Sequence, residues 1–273
     1  MEFSCHIWAF DDLRLQEALG TIARLGFRYV DMGTGAHFNL ARALDNDERK
    51  AMFRELREQL DLFNLDVADM VLFLPRISLA DEKKRNRDIL LFRALLPFAK
   101  AFNASGVTVT SGLLHPESDD EAWQRMVAAL QNMLTIAQEA EIPLSVEPHL
   151  DSMVFTIERI HRLLDSIDGL QLTLDWAHLV CQGIDQEAIV DLLPHTRHVQ
   201  IRQAKKGKLQ VPYDDGIIEA DVVVAALQAA HYEGFVGVKY MQTTGWHGMM
   251  KVNEILECAR MRDALRLARD SSR

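Results

Sequence analysis

Three cysteines in 273 residues leave little room for sulfur chemistry. Cys5, Cys181 and Cys258 are odd in number, far apart and free of any Cys-x-x-Cys pair, so neither a disulfide framework nor a thiolate zinc site is implied. Reduced thiols in the cytoplasm are the expectation. Long apolar runs are missing too. None approaches the ~20 residues of a membrane span, and the opening MEFSCHIWAFDD lacks the basic segment and apolar stretch of a secretory leader. No membrane partner is expected. Basic residues are in deficit, 30 against 40 acidic ones, and the formal charge of −10 repels a phosphate backbone. Nucleic acid is not expected as a partner. The first β-rich run, CHIWAFDD, contains no glycine, whereas a doubly wound sheet cradles a nucleotide on a Gly-rich turn after its first strand. No nucleotide cofactor is expected.

What is present is a regular alternation. Hydrophobic residues make up 48% and charged residues 26%, enough to close a sizeable core. Short β-rich runs cover 3–8, 27–33, 65–71, 106–111, 142–147, 170–175, 197–201 and 235–240. Helical patterns follow them at 11–25, 45–62, 81–102, 118–140, 156–166, 185–193, 219–231 and 250–268. Eight strand-helix units argue for a parallel sheet closed into a barrel. The expected fold class is α/β, a single (β/α)8 TIM barrel spanning residues 1–273 as one domain, close to the ~250 residues such barrels need. Asp11, Asp45, Ser118 and Asp185 precede helical runs and can cap their free amides. Gly26, Gly106, Gly169 and Gly234 stand just before strands, where helices stop or the chain turns.

Alternation within the strands sorts side chains to two faces. In HVQIR the apolar Val199 and Ile201 face the helices, so His198, Gln200 and Arg202 point inward. The same parity sends Ser145 and Glu147, Thr173 and Asp175, and Gly237 and Lys239 inward. Glu147, Asp175, Gln200 and Lys239 thus share one height near the C-terminal ends of four consecutive strands, the end at which barrel enzymes carry their chemistry. Six of ten histidines, His6, His37, His115, His149, His178 and His247, fall at that end, as do Trp8, Trp176 and Trp246, whose rings suit flat apolar faces of a sugar. His161, His195, His231 and Trp123 read as packing, and the basic run 205–208 as a solvated loop. Inward carboxylates are costly unless paired or bound to a cation, which marks Glu147 and Asp175 as functional candidates.

These residues carry a resemblance. Glu147-Pro148-His149 ending one strand, Asp175-Trp176-Ala177-His178 ending the next, and the strand HVQIRQ from His198 to Gln203 resemble, in order and placement, the xylose isomerase-like barrel family. That family includes sugar-phosphate isomerases and epimerases, ketose 3-epimerases and AP endonucleases. The resemblance implies a divalent metal held by a Glu, an Asp, the second His of a His-x-His strand and a Glu ending the last strand. Glu147 and Asp175 match. Gln200 stands for the His, and Lys239 for the final Glu.

On that basis the implied metal ligands are Glu147, Asp175 and Gln200, an oxygen set suited to Mn2+ or Mg2+ rather than Zn2+. The alternative is that Lys239 takes over part of the cation's role. The implied activity is isomerisation or epimerisation of a sugar or sugar derivative beside its carbonyl. Glu147 is the catalytic base, Lys239 the second acid-base group, and His6, His149, His178, Arg202, Trp8 and Trp246 bind substrate. Three alternatives stand beside this reading: a lyase, Schiff-base chemistry at Lys239, and a sugar-binding homologue without catalysis. Endonuclease activity is disfavoured by the acidic charge. Homo-oligomerisation is left open.

Overall fold

The computed structural model describes residues 1–114 and 120–271; His115 and Ser118, singled out above, lie outside the described residues. Along the chain come β1 (Glu2–His6), α1 (Leu15–Arg24), β2 (Tyr29–Gly33), α2 (Asn46–Phe63), β3 (Asp66–Leu72), α3 (Glu82–Ala101), β4 (Val107–Thr110), α4 (Asp120–Glu139), β5 (Leu144–Glu147) and α5 (Ile157–Ser166). They are followed by β6 (Gln171–Asp175), α6 (Trp176–Gln182), α7 (Gln186–Val190), β7 (Thr196–Ile201), α8 (Ala220–Ala229), β8 (Phe235–Val238) and α9 (Glu254–Ser271). Each strand pairs in parallel with the next, and β8 returns to β1, closing an eight-stranded barrel. Among the described residues no helix is long and apolar enough to cross a membrane.

Local chemistry sets the element ends. Asp45 caps α2 by accepting from the Asp47 and Glu48 amides, and Thr156 caps α5 by accepting from Arg159. Gly26, at a φ of 81°, turns the chain out of α1 toward β2. The sequence reading changes at three places. Asp11 does not cap α1, because a short 3-10 turn at Ile7–Phe10 intervenes and α1 begins at Leu15, where the Glu17 carboxylate accepts the Arg14 amide; Asp185 stands at the N-cap of α7, but its side chain makes no cap bond. Trp176, Ala177 and His178, over which the sequence shows no helical pattern, form a helix: α6 starts directly at the end of β6, with the Asp175 carboxylate capping it.

Outward strand residues such as Val30, Met32, Val146, Leu172, Leu174, Val199 and Val236 are buried against the helices. The inside of the barrel is polar. Near its N-terminal end Arg197 reaches Asp69 at 2.8 Å, Ser145 at 2.7 Å and Thr108 at 3.0 Å, and Thr173 closes the ring to Ser145 at 2.6 Å and Thr108 at 2.7 Å. One level higher, His198 Nε2 lies 3.0 Å from Asp31. Strict alternation would send Arg197 outward, opposite to His198. The register between β6 and β7 slips there, Leu172 facing Thr196 and Thr173 facing His198, so Arg197 is the extra residue of a bulge and both neighbours reach the interior.

Gly237 leaves the space this polar column needs. A Cβ there would stand only 2.0 Å from Asp31 Oδ2 and 3.2 Å from Ser4 Oγ, and Asp31 is pinned by His198. Gly237→Ala is therefore expected to lower unfolding free energy by ~1–3 kcal/mol through overpacking. Denaturant titration checks this, and an unchanged midpoint would show that Asp31 moves freely.

Candidate active site

A cavity of about 480 Å³ opens at the C-terminal mouth of the barrel, within the size range of small-molecule sites. Trp8, Phe73 and Trp246 are among its apolar walls, and Glu147, His149, His178 and Lys239 among its polar ones. The elements put them there. Glu147 ends β5, Lys239 follows β8 by one residue, and His178 sits in the first turn of α6. His149 follows Pro148 in the loop after β5.

The floor of the cavity is a charge cluster. Lys239 Nζ donates to Glu147 Oε1 at 2.7 Å and to Gln200 Oε1 at 2.6 Å, and it lies 3.4 Å from Asp175 Oδ2. Arg202, wholly buried, donates to Asp175 Oδ2 at 3.1 Å and to the Lys239 carbonyl at 2.9 Å. Asp175 is thereby engaged at both oxygens, since Oδ1 accepts the Ala177 amide at 3.1 Å. Burial alone would raise the Asp175 carboxyl, but Arg202, His178 and Lys239 outweigh it and hold the group well below the usual carboxylate range.

The histidine tautomers follow from their partners. His149 Nδ1 lies 2.6 Å from the Leu150 carbonyl, so that nitrogen carries the proton. Nε2 is then a lone pair without a partner among the described residues. His178 is the reverse: Nδ1 accepts the Leu150 amide at 3.1 Å, and Nε2, as N–H, lies 3.6 Å from Asp175 and 3.9 Å from Glu147. Burial lowers the pKa of both, His178 far below its ordinary value. Above them, Trp246 Nε1 and His247 Nε2 lie 2.8 and 2.9 Å from Asp151 Oδ2, a bridge across the cavity rim. On the other side Trp8 donates to the Thr34 carbonyl at 3.2 Å, with Lys239 Nζ 5.5 Å from its ring centre. Gly33 makes that seat, as a Cβ would stand 2.5 Å from the indole.

Of the residues singled out from the sequence, Glu147, Lys239, His149, His178, Trp8 and Trp246 line the cavity. Asp175, Gln200, Arg202 and His6 do not. They stand behind it, the first three around Lys239 and His6 beneath Trp8, with ring centres 4.3 Å apart. His37 is turned away, bonded to the Leu13 carbonyl at 2.8 Å and lining a separate groove. The basic run 205–208 is a tight turn off the cavity, Lys205 and Lys208 exchanging backbone bonds. Sequence reasoning missed Asp151, Asp31 and Asp69. Asp151 had a weak signal, a carboxylate two residues beyond the Glu-Pro-His motif. The other two had a stronger one, a lone charge inside an apolar strand.

By distance alone, Glu147, Asp175 and His178 could hold a metal ion, each offering an atom within 4.8 Å of the others. Their chemistry, as arranged, does not fit one. His178 turns an N–H rather than a lone pair toward the carboxylates, both Asp175 oxygens are engaged, and an ammonium already sits against Glu147 and Gln200.

The sequence profile of xylose isomerase-like TIM barrels matches residues 19–261. The chain belongs to the xylose isomerase-like TIM barrel family. Within it, the chain is 27% identical over 149 residues to an inosose dehydratase of Bacillus thuringiensis, covering 46% of this chain and 50% of that protein. It thus spans about half the length of the curated relatives it matches. The fold superposes on a D-tagatose 3-epimerase-like protein with a TM-score of 0.77 at 16% identity, covering 100% of both chains. It also superposes on a xylose isomerase-like barrel of Mycobacterium smegmatis in complex with magnesium, with a TM-score of 0.74 at 15% identity, covering 99% of this chain and 97% of that one.

The buried histidines give this family member an acid-sensitive interior. Burial, and then Lys239, push His6 down to about 3 from 6.5. Between those values the unfolded chain binds a proton that the folded chain does not. Stability is therefore lost as pH falls below 6.5, by up to ~1.4 kcal/mol per pH unit for this group. His149 and His178 act in the same direction. Melting temperature is expected to drop from about pH 7 to about pH 5, with a shallower drop in His6→Asn. A flat profile in the wild type would contradict the assignment of neutral buried histidines.

Proposed function

We propose that this protein is an enzyme that moves a proton on the carbon beside the carbonyl of a small sugar or sugar derivative, as an isomerase or epimerase. The observation that carries the reading is the Glu147–Lys239 pair. A carboxylate and an ammonium 2.7 Å apart both line the cavity at the barrel mouth. Deprotonation beside a carbonyl needs a base at the carbon and positive charge at the oxygen. Glu147 takes the proton, and the C–H electron pair moves into the C–C bond as the carbonyl becomes an enolate oxygen. A Lys239 N–H stabilises that oxygen. The 3.4 Å contact to Asp175 is the longest of the three that ammonium makes, and it is the one a substrate oxygen can replace. Transfer of the proton of the adjoining hydroxyl to the enolate oxygen, with return of the proton from Glu147 to the former carbonyl carbon, completes an isomerisation. The Nε2 of His149, which has no partner among the described residues, accepts a substrate hydroxyl, and Trp8 and Trp246 pack on the apolar faces of the substrate carbons.

A second reading is a lyase, in which the enolate expels the hydroxyl on the next carbon along, which leaves as water with the proton that Glu147 has taken. It is favoured by the 2.7 Å contact between Glu147 and Lys239, which puts both groups on one side of a substrate carbon, whereas inverting a carbon needs acid-base groups on both. The similarity to inosose dehydratases points the same way.

A panel of ketopentoses, ketohexoses and inososes in deuterated buffer, followed by proton NMR, separates these readings. The wild type is expected to introduce deuterium beside the carbonyl of at least one compound, and Glu147→Gln to slow this by at least ~100-fold. Growth of a conjugated enone absorbance would select the lyase. Unaltered exchange in Glu147→Gln, or thermal stabilisation by a sugar without exchange, would overturn the reading.

A further inference from the structure

We infer that the Lys239 ammonium is the resident cation of this site, and that the barrel takes up no divalent metal between Glu147 and Asp175. The three acceptors around Nζ are Glu147 Oε1 at 2.7 Å, Gln200 Oε1 at 2.6 Å and Asp175 Oδ2 at 3.4 Å. An ammonium has three hydrogens, and each has an acceptor. These oxygens are the donors that a hard cation would use. A metal within bonding distance of two of them would press against the nitrogen, in a place where Lys239 is 2% and Glu147 3% exposed.

Charge gives the same answer. Glu147 and Asp175 carry two negative charges, and Lys239 and Arg202 two positive ones, so the buried cluster is balanced as it stands. A divalent ion would leave it doubly positive, at a depth where solvent screens the excess only weakly. The remaining nitrogen cannot help, because the Leu150 amide fixes the His178 tautomer with N–H toward the carboxylates. Nor is Lys239 easily displaced, as its nitrogen lies 5.5 Å over the Trp8 ring, on a strand end bonded to the Ile201 carbonyl.

A tethered ammonium changes what the site can bind, a consequence that rests on the proton-transfer reading above. A metal holds two neighbouring substrate oxygens at once. Lys239, with two hydrogens committed to Glu147 and Gln200, has one to give. The substrate class is accordingly one in which a single carbonyl oxygen meets the cation and the adjoining hydroxyls meet other groups such as His149.

The metal question is answered without any substrate. The probe is Mn2+ itself, titrated calorimetrically and in thermal melts into wild type, Lys239→Glu and Lys239→Met, with metal content measured after purification without chelator. Wild type is expected to carry no stoichiometric metal and to show no Mn2+-dependent shift in melting temperature. Lys239→Glu, which exchanges a like charge for a ligand, is expected to bind Mn2+ at least about tenfold more tightly than wild type. If that variant folds only with Mn2+ present, the inference is equally supported. Lys239→Met, which removes the charge and adds no ligand, is expected to fall between them. Stoichiometric manganese in wild type, lost in Glu147→Gln, would overturn the inference, as would variants that bind no better than wild type. Absent sugar turnover would refute the proposed function and leave this result standing.

Discussion

An ammonium held in a barrel interior has to be surrounded by acceptors, because a buried charge without partners is too costly to keep. Lys239 meets this condition through Glu147, Gln200 and Asp175, which come from three other strands. The position of each depends on the others. Asp175 is held by Arg202 and by the start of α6, and Arg202 is held in turn by the carbonyl of Lys239 itself. The mouth of the barrel is therefore one closed electrostatic unit rather than a set of independent side chains.

That unit rests on a polar column. Below it lie the Asp31–His198 pair and then the ring of Arg197, Asp69, Ser145, Thr108 and Thr173. A barrel filled with branched apolar side chains would be easier to stabilise, yet it would offer the upper charges no polarisable support. The outer shell of apolar strand faces against helices supplies the hydrophobic driving force. The division of labour is clear: stability outside the barrel wall, charge positioning inside it.

Much of this was legible in the sequence, for physical reasons. The eight-fold alternation reads directly because strands and helices impose different periods on apolar residues, and the inward parity of Glu147, Asp175, Gln200 and Lys239 follows from the pleat. What parity cannot see is a bulge. Arg197 was invisible as an interior residue because the slip between Leu172 and Thr173 breaks the alternation there. The short helix α6 was missed because seven residues carry too little periodicity to register, and with it went the cap that withdraws Asp175 from the cavity. Sequence also set Arg202 and His6 among the substrate contacts. Their side chains lie behind the cavity wall, a distinction made by packing rather than by spacing.

The xylose isomerase-like barrel is thus retained here with two exchanges in the ligand pattern that the resemblance implies, Gln200 for a histidine and Lys239 for a glutamate, and the second reverses the sign of the local charge. The most direct test of this account is a high-resolution crystal structure of the wild-type protein grown in excess manganese, with anomalous scattering recorded at the manganese edge. The expected result is Lys239 Nζ within hydrogen-bond distance of Glu147 and Gln200 and no anomalous peak between Glu147 and Asp175. A manganese peak bonded to those two carboxylates, with Lys239 swung aside, would contradict it.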